Sequence, residues 1–199
     1  MPWQNRPESP PEVISPADSF VPPVTNASAV TTASQRTTSI RGYGLTVLIV
    51  HAKWNAEIVS ELVRGTVDEL QREGVTVLVE EVPGSWELPC GVNMHLVAME
   101  ASPESHHYDA VIAIGVLIKG ETDHYHHIAA SVSSSLQTIS VTHNRPVIFG
   151  LLTCLTKGQA MMRAGIPVDG KQGHNHGVDW ARAAVDCALM QGRLQAKSL

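Results

Sequence analysis

A chain of 199 residues with 43% hydrophobic and 17% charged residues is long enough for one well-cored domain and ordinary in composition for a globular protein. Its formal charge of −5 leaves no cationic excess to neutralise phosphates, which disfavours nucleic acid as a partner. The longest apolar run, Ala110 to Ile118, falls far short of the roughly 20 residues that cross a bilayer, so no membrane association is expected.

Residues 1–40 carry seven of the twelve prolines and eleven Ser/Thr, with only scattered apolar residues. Such a segment cannot bury enough surface to offset the entropy of ordering it, and residues 1–41 are predicted to be a disordered tail. It lacks the apolar stretch of a secretory signal, and Glu8, Glu12 and Asp18 argue against a transit peptide. Residues 42–199 form the predicted domain. Gly44–Val50 (GLTVLIV) is a β-branched run suited to a strand buried on both faces. Asn55 to Glu73 follows as a helix, with Ile58, Val59, Leu62, Val63, Val67 and Leu70 at helical spacing and Gly74 closing it. Val75–Val82 reads as a second strand ended by Pro83-Gly84, and a helix runs from about Glu87 to Ala101. The Ala110–Ile118 strand leads into a helix from about Asp123 to His143, and Pro146–Leu152 is a fourth strand. Two helices, Thr156–Ala164 and Val178 to about Gln195, complete the pattern.

Strand–helix alternation with short links implies right-handed βαβ units and a parallel sheet covered on both faces. Four strands make this an α/β chain of the flavodoxin-like type, a three-layer sandwich with a four-stranded parallel sheet flanked by helices. Ligands of such sheets bind beyond the carboxyl ends of the strands. That rule selects the loops His51–Asn55, Pro83–Pro89, Lys119–His124 and Thr153–Lys157, which hold the notable polar and aromatic residues. In one of them a buried strand, a glycine turn and a histidine-bearing helix start (GVLIKGETDHY, 115–125) bring backbone N–H groups and a helix dipole to one point. A titratable imidazole there can do acid–base chemistry on whatever the bound anion is attached to. Cys90, Cys154 and Cys187 form no CxxC and read as reduced core residues of a cytoplasmic protein. Gly42-Tyr43-Gly44 precedes its strand, whereas a dinucleotide fingerprint follows one, and there is no Walker A sequence.

Six segments in order, HAKWNAEI (51–58), VPGSWELP (82–89), GVLIKGETDHYHHIA (115–129), RPVIFGLLT (145–153), QAMMRAG (159–165) and HNHGVDWA (174–181), resemble lumazine synthases, with the last closest to fungal members. The resemblance covers residues 42–190. It implies an enzyme that condenses 5-amino-6-ribitylamino-pyrimidinedione with 3,4-dihydroxy-2-butanone 4-phosphate to 6,7-dimethyl-8-ribityllumazine, the penultimate step of riboflavin synthesis, with no metal and no organic cofactor. It further implies a homo-oligomer with shared sites, and riboflavin synthase as a partner.

His124 takes the position of the family's proton-transfer histidine. Gly120, Glu121 and Thr122 would bind the substrate phosphate through main-chain N–H groups, with the Glu121 side chain turned away. A plain helix cap by Thr122 or Asp123 is compatible with that role. Arg163 would grip the phosphate bidentately; on its own, an arginine late in a short helix reads as a surface charge. Trp54 takes the place over which the pyrimidine stacks, and an exposed Trp just after a strand calls for a ligand or subunit to cover it. Ser85, Trp86 and Glu87 would meet the ribityl chain and pyrimidine, with Trp86 chiefly packing. Val116, Leu117 and Ile118 would act through their main chain. Phe149 is core by default, and by resemblance faces a neighbour's site. Lys119, His127 and His176 are secondary candidates, and Asp179 is expected to orient Arg163.

Two other readings stand beside this one. Ten histidines, with His124 and His127 at i, i+3 and His174 near His176, could hold a divalent metal. A non-catalytic flavin- or lumazine-binding protein could use the same scaffold. The stretch Ile166–Gly173 looks like the longer connection of family members that stop at a pentamer, so a free pentamer is expected over a sixty-subunit shell.

Overall fold

The computed structural model describes residues 40–102 and 107–197. The tail expected over residues 1–41 lies outside the described residues except for its last two. Of these, Arg41 donates to both carboxylate oxygens of Glu73 (3.1 and 2.7 Å) and to Asp186 (2.8 Å).

Four strands, β1 (Thr46–Ala52), β2 (Thr76–Val82), β3 (Ala110–Ile118) and β4 (Val147–Cys154), form one parallel sheet in the order β2-β1-β3-β4. Among the described residues five helices cover it: α1 (Ala56–Arg72), α2 (Leu88–Ala101), α3 (His124–Thr142), α4 (Lys157–Arg163) and α5 (His176–Ala196). A short 3₁₀ turn, Ser85–Glu87, leads into α2. The expected α/β three-layer sandwich is the architecture found.

Alternation along β1 distributes the core. Val47 and Ile49 pack with Leu62 and Leu70 of α1 and Ala184 and Val185 of α5, while Leu48 and Val50 pack with Val92 and Leu96 of α2 and Val132 and Leu136 of α3. Leu48, Ile49, Ile112 and Ile114 are fully buried, each contributing about 2 kcal/mol. Because both faces are covered, the two central strands read as unbroken apolar runs. At the β2 edge, by contrast, Glu80 and Glu81 are exposed, and charge there discourages pairing with another chain.

The chain steps from β1 outward to β2 and then returns past β1 to β3 and β4. The carboxyl ends of β1 and β3 therefore flank the point where the winding reverses, the usual place for a ligand crevice.

Candidate functional site

A cavity of about 720 Å³ opens at that point, within the range of small-molecule sites. Its walls come from two loops, one strand end and one helix: Trp54 and Asn55 after β1, Gly84 to Glu87 after β2, Val116 to Ile118 at the end of β3, and His124, His127 and Ile128 of α3. Trp54 is 73% exposed, an unusual position for a large indole unless something covers it.

Local geometry explains how the loops converge. The Lys53 N–H donates to the Val82 carbonyl (3.1 Å), tying the β1 exit to the β2 exit. Asn55 sits in the left-handed region (φ 60°), and its Nδ2 donates to the Val116 carbonyl (2.8 Å), tying the β1 exit to β3. Gly84 is extended and closely covered. A Cβ there would meet Glu87 Oε2 at 3.0 Å and Trp54 Cδ1 at 3.3 Å, so carboxylate and indole stand over the same backbone. Ser85 is buried, and among the described residues its Oγ has no hydrogen-bond partner.

His124 is the first residue of α3, exposed at the cavity wall. Asp123 is the N-cap residue and, among the described residues, makes no side-chain capping bond at this positive end of the helix dipole. Lys119, Gly120, Glu121 and Thr122 form the exposed approach to that end, just outside the cavity lining. His127 joins His124 on the wall; among the described residues no group of three His, Cys, Asp or Glu could hold a metal ion.

Three sequence candidates lie elsewhere on the chain. Phe149 is on the edge strand β4, opposite Ala113, and is 42% exposed rather than core. Arg163, the last residue of α4, is exposed and donates from Nη1 to the Gln159 carbonyl of its own helix (3.1 Å). His176 opens α5 beside Trp180. Burial, opposed by Asp179 and reinforced by His174 and Arg163, pushes its pKa below the usual histidine value, which favours the neutral ring at neutral pH. Asp179, expected to orient Arg163, instead pairs with His174 Nε2 (2.6 Å). Arg163 still acts on its surroundings: its charge partly offsets the burial that raises the Cys154 pKa.

Asn55, Gly84 and Ile128 complete the cavity and were not singled out as site residues. Asn55 carried the one usable signal, since asparagine is enriched in left-handed backbone and here stands between a strand and a helix.

The sequence profile of 6,7-dimethyl-8-ribityllumazine synthase matches residues 44–191. Curated proteins of that name are similar over most of the chain. The one from Schizosaccharomyces pombe is 44% identical, covering 75% of this chain and 90% of that protein. The one from Pyricularia oryzae is 41% identical (74% and 88% covered), and the one from Pyrococcus furiosus 35% identical (77% and 90%). With a matching profile over most of its length and relatives well above 30% identity, the chain belongs to the 6,7-dimethyl-8-ribityllumazine synthase family.

Proposed function

We propose that the cavity between the β1 and β3 ends seats the family's reaction, in which 5-amino-6-ribitylamino-pyrimidinedione and 3,4-dihydroxy-2-butanone 4-phosphate yield 6,7-dimethyl-8-ribityllumazine with loss of phosphate and water. The chain is a transferase of riboflavin biosynthesis, and its substrates are these small molecules. One observation carries the placement: an exposed Trp54, the Glu87 carboxylate and His124 meet in a single crevice where the sheet winding reverses.

In this reading the pyrimidine stacks on Trp54, while the main chain of Val116, Leu117 and Ile118 reads its edge. Glu87 accepts from ribityl hydroxyls, with Ser85 and Trp86 beside it. The phosphate lies at the uncapped start of α3, held by the N–H groups of Gly120, Glu121 and Thr122. His124 lines the same crevice, two residues beyond that phosphate turn. Schiff-base formation, phosphate elimination and ring closure each move a proton, which an imidazole can give and take near neutral pH.

A second copy completes the site. Phe149 is exposed on an edge strand, and Arg163 does not line its own chain's cavity, so both are free to face a neighbour's. A heterologous contact repeated around a closed ring fits this arrangement, and we take the ring to be a pentamer. The Ile166–Gly173 connection supports a pentamer that goes no further. The protein acts in the cytoplasm, with riboflavin synthase drawing on its product; among the described residues no helix is long and apolar enough to cross a membrane.

The test mixes metal-free protein with both substrates in EDTA and follows lumazine fluorescence against the uncatalysed background. Rapid product formation that His124→Ala slows without loss of pyrimidine binding supports the assignment. Pyrimidine binding at Trp54 with no acceleration would instead favour a non-catalytic flavin binder. Co-refolding Trp54→Ala with Phe149→Ala tests the shared site: regained activity supports it, and none would confine each site to one chain.

A further inference from the structure

A second cavity, of about 360 Å³, lies at the opposite end of the sheet. Leu45, Asp109 and Arg145 bound it where β1, β3 and β4 begin, and the closing turns of α5 (Ala188 to Ala196, including Arg193) form its other wall. His107 completes the rim.

Its charge is unbalanced. Among the described residues, Arg145, Arg193 and, when protonated, His107 face one lining carboxylate, that of Asp109. That carboxylate is already engaged: Oδ2 accepts from the Thr46 N–H (2.7 Å) and Oδ1 lies 3.4 Å from His107 Nε2. Arg145 is half-buried, and among the described residues it forms no ion pair. Its Nε is buried without a partner, and its Nη1 reaches only the Gln191 amide oxygen, at 3.4 Å. Gln191 in turn donates to the Asn144 carbonyl, which holds the amide in place beside the guanidinium. A permanent cation partly removed from water with most of its donors uncommitted is costly unless an anion meets it. Among the described residues no Phe, Tyr or Trp lines the cavity, so these walls offer no stacking surface for a nucleobase or flavin.

The geometry points to a binding site for a small oxyanion such as inorganic phosphate, held by the uncommitted guanidinium N–H groups of Arg145 together with Arg193 on the facing wall. The site is separate from the reaction crevice and does not depend on how that crevice works. Phosphate is also released by the reaction, so the anion is present wherever the enzyme turns over.

Inorganic phosphate titrated into the ¹⁵N-labelled full chain tests this by NMR. The expected result is a saturable shift at Asp109, Gly192 and the Arg145 Nε–Hε, absent in Arg145→Gln, while shifts at Gly120 to Thr122 and turnover are retained. Should Arg145→Gln fail to fold, the exposed Arg193→Gln replaces it and weakens the apparent affinity about tenfold. The proposal fails if the Gly192 region does not shift while the Gly120 region saturates, if the variants titrate like the parent, or if chloride at equal ionic strength reproduces the shift.

Discussion

Replacing Asn55 separates the two things that the residue does. Its amide donates to the Val116 carbonyl at 2.8 Å, and its backbone holds φ 60°, where a side chain with Cβ is strained. Removing the amide loses one hydrogen bond, which contributes about 1 kcal/mol. Alanine also bears the left-handed penalty, roughly 1 kcal/mol beyond what asparagine bears. Asn55→Ala should therefore lose about 2 kcal/mol. Asn55→Gly is relieved of that strain but gives up more chain entropy on folding, and should lose only about 1 kcal/mol.

Urea unfolding at one fixed protein concentration reads both values, since association would otherwise shift the midpoints. With an m-value of about 2 kcal/mol per molar, the alanine midpoint falls by about 1 M and the glycine midpoint by about half that. Equal losses for the two variants would refute the claim that backbone strain matters at this position. A glycine variant as stable as the parent would refute the hydrogen bond's contribution. Both variants should also raise the KM for the pyrimidine, because Val116 would no longer be pinned at the cavity wall.

Four further outcomes follow from the same geometry. His124→Ala should lower kcat by about 10²- to 10⁴-fold with a small change in pyrimidine Kd, measured by steady-state turnover and Trp54 fluorescence; unchanged turnover removes its proposed role. Arg163→Ala should raise the KM for the butanone phosphate selectively, and an equal rise for the pyrimidine would point to misfolding. Gly115→Ala places a Cβ 2.7 Å from Ser85 Oγ and 2.8 Å from Leu151 Cδ1, and should cost about 1–3 kcal/mol with a lowered Tm. At Glu69, burial favours the neutral form, but hydrogen bonds from Arg182 and Arg72 outweigh it and lower the carboxyl pKa. Its contribution is present above the ordinary carboxylate pKa and lost as pH falls through the lower native value. Glu69→Gln should thus be destabilised at neutral pH and show a flatter acid limb in urea unfolding.

Much of the fold was legible because it is written in local periodicity. The β-branched run Gly44–Val50 read as a strand buried on both faces, and β1 is found over Thr46–Ala52; Thr156, read as the first residue of its helix, instead caps it, its side chain accepting from the Gln159 N–H. The errors fall where tertiary pairing decides. β4 continues to Cys154, beyond the expected Leu152, because Thr153 and Cys154 pair with Leu117 and Ile118 of a neighbour remote in sequence. α5 begins at His176 rather than Val178, because Asn175 accepts from the Gly177 N–H; the motif that named the family also contained a helix cap.

The site divides in the same way. Residues that reach the cavity by direct extension of a strand (Trp54, Ser85 to Glu87, Val116 to Ile118, His124) were predictable once the strand ends were known. Partnerships between side chains were not. Asp179 and Arg163 are close enough in the chain order of their elements to suggest a pair, yet Asp179 takes His174, five residues away, and Arg163 turns back onto its own helix. That leaves the guanidinium without a carboxylate partner among the described residues. An arginine whose charge is felt at His176 and Cys154, and which among the described residues donates only to a backbone carbonyl, keeps donors for the phosphate proposed above. The missed pairing therefore strengthens the role given to Arg163, because a salt bridge to Asp179 would have competed with the substrate for the same nitrogens.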